Sequence, residues 1–358
     1  MLRTLVRMAQ ETASKKPRTG SLLIGTHSGH FHADEALAVY LLRLLPTYSS
    51  SPLIRTRDPA LLQTCHTVVD VGGEYDATTN RYDHHQRTFS TVFPGYATKL
   101  SSAGLVYMHF GPSIIAQHAN LPTEHSNVSL IYQKLYADFI EAIDANDNGI
   151  SSYDPAALEK AGIEKKFKDG GVTIASIVND MNYPADAAEE ALGEDGLFER
   201  ASDFVGGVFA RKLKAAISSW LPARETVQKA YAARKDVHHS GRIMILPEGG
   251  VPWKEHLGNF EKENAAEDSD VYYVLYPESG AADSKWRVQA VSVSEGSFVS
   301  RKPLPEKWRG VRDSDLDGVL AEAGDGIPEG AVFVHASGFI GGHKTREGAL
   351  AMAAKALE

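Results

Sequence analysis

The stretch S-L-L-I-G-T-H-S-G-H-F-H-A-D-E-A-L-A-V-Y-L-L-R-L-L, Ser21 to Leu45, passes through three kinds of sequence before Pro46 stops it. Ser21 to Thr26 is a short apolar run of strand length, and Ala36 to Leu45 is an apolar segment of helix length, so the pair predicts strand, loop, helix. The loop between them gathers His27, His30, His32 and Asp34. A second buried strand, Thr67 to Val71, contains Asp70 and runs into the Gly72-Gly73 turn, and Arg81-Tyr82 leads directly into D-H-H-Q at Asp83 to Gln86. Each acid or histidine cluster thus falls where a strand is expected to end. In open α/β sheets that is the edge where ligands bind.

Beyond this region, Ser101 to His118 reads as a helix. Ser129 to Asn148 reads more clearly so, with Ile131, Leu135, Phe139 and Ile143 at spacing four and a stop at Asn148-Gly149. The acidic, alanine-rich Ala185 to Asp195 predicts a surface excursion, and a long helix from Leu197 to about Lys235 leads away from it. The last third changes character. Strands are expected at Arg242–Leu246, Val271–Tyr276, Trp286–Val293 and Ala331–His335, then a glycine-rich turn and a helix over Thr345–Leu357. The expected architecture is α/β: a parallel-sheet domain over residues 21–200, a connecting helix over 201–238, and a smaller α/β domain with a mixed sheet over 239–358. Residues 1–20 carry Arg3, Arg7, Lys15, Lys16 and Arg18 against Glu11 alone, which fits a mitochondrial presequence or a basic arm before the first strand.

With 358 residues, 43% of them hydrophobic, the chain can bury a large core in about two domains. A net charge of −9 supplies no global basic field for a nucleic-acid backbone, and no apolar run reaches the roughly 20 residues of a membrane helix. The single cysteine, Cys65, excludes an internal disulfide and a cysteine zinc cage. Any metal must therefore be held by His, Asp or Glu. The clusters from His27 to Asp34, at Asp70, at Asp83 to His85 and at Asp144 and Asp147 mix hard carboxylates with imidazoles. That mixture suits Mn²⁺, Mg²⁺ or Fe²⁺, and two ions sharing a bridging acid suit in-line attack of water on phosphorus. No G-x-S-x-G, H-E-x-x-H or P-loop is present.

The segments I-G-T-H-S-G-H-F-H-A-D-E, V-V-D-V-G-G, Y-D-H-H-Q and A-I-D-A-N-D-N-G-I, in that order, resemble the four metal motifs of the DHH phosphoesterase superfamily. They are most similar to the melanocyte proliferating gene 1 family of exonucleases, and the likeness extends through V-P-W-K-E-H-L, R-K-P-L-P-E-K-W-R-G and F-V-H-A-S-G-F-I-G-G-H. The resemblance implies a DHH-type metal-binding domain that binds one or two divalent ions, Mn²⁺ first and Mg²⁺ second. Its ligands would be His27, His30 or His32 with Asp34, then Asp70 as the bridging acid, then His84, and Asp144 more surely than Asp147. His85 would face the phosphate, with Asp83 beside it in the catalytic motif. The first motif departs from the superfamily's H-x-x-x-D-x-D, having Ala36 at the second acid's place, so the substituting histidine and the second ion stay open.

The segment G-F-I-G-G-H-K, Gly338 to Lys344, suits a phosphate on its amides or, alternatively, a tight strand-to-helix connection. The resemblance implies a substrate grip there by Ser337, Gly341, Gly342, His343 and Lys344, with Arg301 lining the same cleft. Lys302, Arg309, Trp253 and Trp308 would join them, although each taken singly reads as a solvated cation or a core tryptophan. The implied function is a 3′-to-5′ RNA exonuclease that releases nucleoside monophosphates, working inside the cell in the mitochondrion, the nucleus or the cytoplasm. The alternatives are a hydrolase of pyrophosphate or short oligonucleotides and a non-catalytic metal- or nucleotide-binding protein. The oligomeric state is open.

Overall fold

The computed structural model describes residues 22–168, 170–264, 270–322 and 326–358, so the expected basic leader at 1–20 lies outside the described residues. The chain divides into two compact units, Met1–Ile217 and Ser218–Glu358.

The first unit begins with β1 (Ile24–Thr26), α1 (Ala33–Arg43), β2 (Leu53–Arg55), β3 (Thr67–Val69), β4 (Tyr75–Asp76) and β5 (Arg81–Tyr82). It continues with α2 (Ser102–Ala119), α3 (Ser126–Leu135), α4 (Glu141–Asp147), α5 (Ile174–Asp180) and α6 (Gly193–Ala215). Its sheet has the order β2-β1-β3-β5-β4. β1 pairs in parallel with β2 and β3, and β3 with β5, while the edge strand β4 runs antiparallel to β5. The parallel pairing puts the ends of β1, β3 and β5 at one sheet edge, which is where the histidine and acid loops emerge. Gly25 lets β1 pack closely against the segment that leads into β3: a Cβ there would lie 2.7 Å from Cys65 Sγ.

Helix α1 is apolar around most of its circumference, with Ala36, Leu37, Ala38, Val39, Leu41 and Leu42 fully buried. It packs against α2 and α6. The α6 contact is close because residue 206 is glycine: a Cβ added there would fall 2.0 Å from the Tyr40 ring. Gly206→Ala is therefore expected to cost about 1–3 kcal/mol through overpacking, read as a lowered unfolding midpoint. The apolar spacing of four along Ile131, Leu135, Phe139 and Ile143 runs ahead of the 3.6-residue turn. A π-helical segment, Tyr136–Ile140, joins α3 to α4 and takes up the excess, so all four side chains stay buried.

The segment expected as one connecting helix is interrupted. A π-helical segment, Ala216–Trp220, follows α6 and precedes α7 (Leu221–Ala232). Pro222 enters this helix in its first turn, where a missing N–H is tolerated.

The second unit has β6 (Ile243–Ile245), α8 (Lys254–Glu263), β7 (Tyr273–Pro277), β8 (Trp286–Ala290), α9 (Asp313–Glu322), β9 (Ala331–Val334), β10 (Ile340–His343) and α10 (Arg346–Leu357). Its sheet has the order β6-β7-β8-β10-β9 and is mixed: β6 and β7 are parallel, and the remaining pairs antiparallel. Alternation along β7 feeds two cores. Tyr273 and Leu275 join Leu316, Met352 and Ala353 on one face, while Val274 joins Val227, Leu257 and Phe260 on the other. Both tryptophans considered for base stacking are core residues: Trp308 is 3% exposed and Trp253 5% exposed.

Candidate metal centre

Three loops and three helix termini build the centre. His32 caps the first turn of α1, where its N–H donates to Glu35 Oε1 at 2.8 Å, and this turn carries Asp34 and Glu35, both buried. Asp70 leaves β3 with φ 57, in the left-handed region that aspartate and asparagine adopt more readily than other non-glycine residues. Gly72 (φ 101) and Gly73 (φ 67) continue the turn and bring the Gly73 N–H to Asp83 Oδ2 at 2.6 Å. Ser102, at the amino end of α2, donates its hydroxyl to Asp70 Oδ1 at 3.1 Å, so the carboxylate lies at a favourable helix terminus.

His27 Nε2 stands 3.1 Å from Glu35 Oε1 and 3.4 Å from Asp70 Oδ2. His84 Nε2 stands 3.3 Å from Asp70 Oδ1 and 2.9 Å from Asp147 Oδ2. Three sets of ligand atoms lie mutually within 4.8 Å: His27, His32, Glu35 and Asp70; Asp70, His84 and His85; and His32, Asp34 and Asp147. Asp70 and His32 each belong to two sets, and of the two only the Asp70 carboxylate has the oxygens to serve neighbouring ions. A cleft of about 450 Å³ opens over them and is also lined by Arg57, whose Nη2 lies 3.3 Å from His27 Nδ1.

The electrostatics fit cations. Burial and the charges of Asp70, Asp147 and Glu35 push the Asp34 carboxyl well above the usual carboxylate range. Neither Asp34 oxygen accepts a hydrogen bond, and Glu35 Oε2 is likewise buried without a donor. Crowded, buried carboxylate oxygens with no donor are costly unless a positive charge meets them. Burial also opposes ionisation of Asp70, but its hydrogen bonds to His27 and His84 prevail and hold it well below the usual range. His85, like His32, is exposed, whereas His27 and His84 are buried. Its Nδ1 lies 2.7 Å from Asp83 Oδ1, and that hydrogen bond raises its pKa.

A family model described as MYG1_exonuc, an uncharacterised protein family (UPF0160), matches residues 23–357. The chain belongs to the MYG1 family. The MYG1 exonuclease of Mus musculus is 46% identical over 360 residues, covering 97% of this chain and 89% of the mouse protein. The human MYG1 exonuclease is 46% identical over 343 residues, covering 93% and 85%. The MYG1 protein YER156C of Saccharomyces cerevisiae is 43% identical over 337 residues, covering 93% and 95%.

In this MYG1-family chain the expected ligands divide. His27, His32, Asp34, Asp70 and His84 come together with His85, and Asp83 supports His85. His30 stands outside the three sets, with Nε2 3.0 Å from Asn179 Oδ1. Asp144, expected from the fourth motif, is committed elsewhere: Oδ1 accepts from Ser101 N, Ser101 Oγ and Gly104 N, and Oδ2 from the Tyr136 hydroxyl. Burial lifts its carboxyl to about 7 against the pull of those donors. Asp147, one helical turn later, faces the cluster instead. Asp144→Ala should therefore cost about 3 kcal/mol or more in urea unfolding, because it strands buried donors. Asp147→Ala should cost less in metal-free protein, about 1–3 kcal/mol for its hydrogen bond to a charged His84, and weaken metal binding by at least about tenfold. Glu35 and Arg57 were not anticipated.

The second-unit residues expected to grip substrate are mostly engaged locally. Gly341 and Gly342 lie in β10 rather than in a turn, paired with β8 and β9, and a Cβ at either would meet Leu304 or Arg287. The His343 ring is fully buried, with Nε2 3.0 Å from Pro328 O and Nδ1 accepting from Thr345 N at 3.0 Å. Arg301 makes a two-point ion pair with Glu261 at 2.7 and 2.8 Å, Lys302 donates to Leu357 O, and Arg309 donates to Leu304 O at 2.9 Å. Ser337 and Lys344 are exposed. Among the described residues no helix is long and apolar enough to cross a membrane.

Proposed function

We propose that this chain is a divalent-metal-dependent phosphodiesterase of the DHH kind that shortens RNA from its 3′ end and releases nucleoside monophosphates. The observation that carries the reading is the convergence of the Asp34, Glu35, Asp70 and Asp147 carboxylates with the imidazoles of His27, His32, His84 and His85, the Asp34 oxygens accepting no hydrogen bond. Several relatives also bear the name MYG1 exonuclease.

The donor set, oxygen-rich with imidazoles, suits Mn²⁺ or Mg²⁺, which Asp70, Asp34, Glu35, Asp147, His27, His32 and His84 would hold. Ions held there would neutralise phosphate charge and acidify an attacking water. The chain's own groups supply the rest. Asp83 fixes His85 through Nδ1, which leaves Nε2 to hand a proton to the departing ribose oxygen. Arg57, at the rim of the cleft, meets the phosphate.

The net charge of −9 favours a second reading, in which the substrate is pyrophosphate or a short oligonucleotide. Protein stripped with chelator and reloaded with Mn²⁺ separates the two. Faster release of nucleoside monophosphates from single-stranded RNA than of phosphate from pyrophosphate is expected, and the reverse order assigns the small substrate.

A further inference from the structure

We propose that Tyr183 and His30 form a stacking platform for the nucleobase next to the scissile phosphate. The proposal rests on the phosphodiesterase reading above and adds a base-binding subsite to it.

His30 belongs to the metal-binding loop by sequence but not by ligation. Its Nε2 is fixed 3.0 Å from Asn179 Oδ1, and its ring lies 6.0 Å from that of His32, which takes part in two of the ligand sets. The Tyr183 ring also meets His30, at 5.7 Å and 64°, an edge contact, and the tyrosine remains 64% exposed. A large ring left in solvent is ordinary on a loose turn. This one is held rigidly to the metal loop. Asn182, its neighbour in the chain, accepts from Phe31 N at 2.9 Å and donates to Phe31 O at 2.9 Å, and Phe31 is the residue between His30 and His32. The two-bond clamp fixes the distance from the ligands to the exposed rings.

A nucleotide carries its base one sugar away from its phosphate. With the phosphate at the His32 side of the centre, the adjoining base reaches the His30 and Tyr183 rings. Stacking on such rings accepts every base, because each has a π-face, and it suits an exonuclease that must take whichever nucleotide comes next.

The test compares two oligoribonucleotides that are identical except that one carries an abasic 3′-terminal residue, cleaved by the metal-loaded full-length protein. The wild type is expected to prefer the base-bearing end by about tenfold in kcat/KM, equal to about 1.4 kcal/mol. Tyr183→Ala should bring that ratio close to one, and Tyr183→Phe, which keeps the ring, should restore it. A ratio unchanged in Tyr183→Ala overturns the platform, whether or not both rates fall together. A wild type that cleaves neither oligonucleotide overturns the phosphodiesterase reading itself and removes the platform with it.

Discussion

Asp70→Asn is expected to cut metal-dependent phosphodiester hydrolysis by at least about 10³-fold while leaving the fold intact. Asp70 faces both His27 and His84 and contributes to two ligand sets, so removing its charge weakens both positions together. Asparagine is the informative replacement because position 70 has φ 57, where an alanine would add backbone strain of about 1–2 kcal/mol and confuse the result. The Ser102 hydroxyl can still donate to the amide oxygen. The check is steady-state hydrolysis beside the unfolding midpoint and the bound-metal content. A variant that keeps more than about a tenth of the activity with full metal content would show that Asp70 is not a shared ligand.

A second large effect is expected from pH. In the metal-free protein, burial disfavours charge on His27, but Asp70 and Glu35 reverse this and set its pKa at about 10. His84 is likewise opposed by burial and carried by Asp147 and Asp70 to about 9. Both values are raised above the ordinary 6.5, so the stability these imidazolium pairs contribute is fully present below about pH 6.5 and is lost as pH rises through 9 and 10. Asp34 acts in the same direction, because its raised pKa makes the deprotonated form the costly one. Urea titrations of metal-free protein should show a loss on the order of 3–5 kcal/mol between about pH 6.5 and 10. Metal binding needs the same imidazoles neutral, so affinity for Mn²⁺ should climb across that window with release of about two protons. Calorimetry in buffers of different ionisation enthalpy measures that release. Metal-free protein that gains stability over the window would contradict the charged state of these histidines.

The α/β class and the strands β1, β3, β6, β7, β8 and β9 were legible because they are short apolar runs; β2, β4 and β10, which lack that signal, were not. The ligand loops were legible for the same reason: each is contiguous in sequence and sits at a strand end. What stayed hidden depends on contacts distant in the chain. Asp144 and Asp147 share one helix at a spacing of three, and only the donors on Ser101, Gly104 and Tyr136 decide that the first is structural. Glu35 stands in the first motif without a sign of its role, and its place beside His27 follows from how the first turn of α1 folds back on the residue that follows β1. The Gly341-Gly342 pair read as a turn, yet it serves a strand that packs against Leu304 and Arg287. Glycine in a sequence marks close approach or turning alike, and the partner that decides between them lies elsewhere.

The most direct test of the proposed metal-dependent exonuclease activity follows 5′-labelled single-stranded RNA with chelator-stripped protein, before and after addition of Mn²⁺. A ladder that shortens stepwise from the 3′ end only when metal is present, and not with Asp70→Asn, is the result expected. Full-length RNA that persists although the protein binds Mn²⁺ would contradict the account.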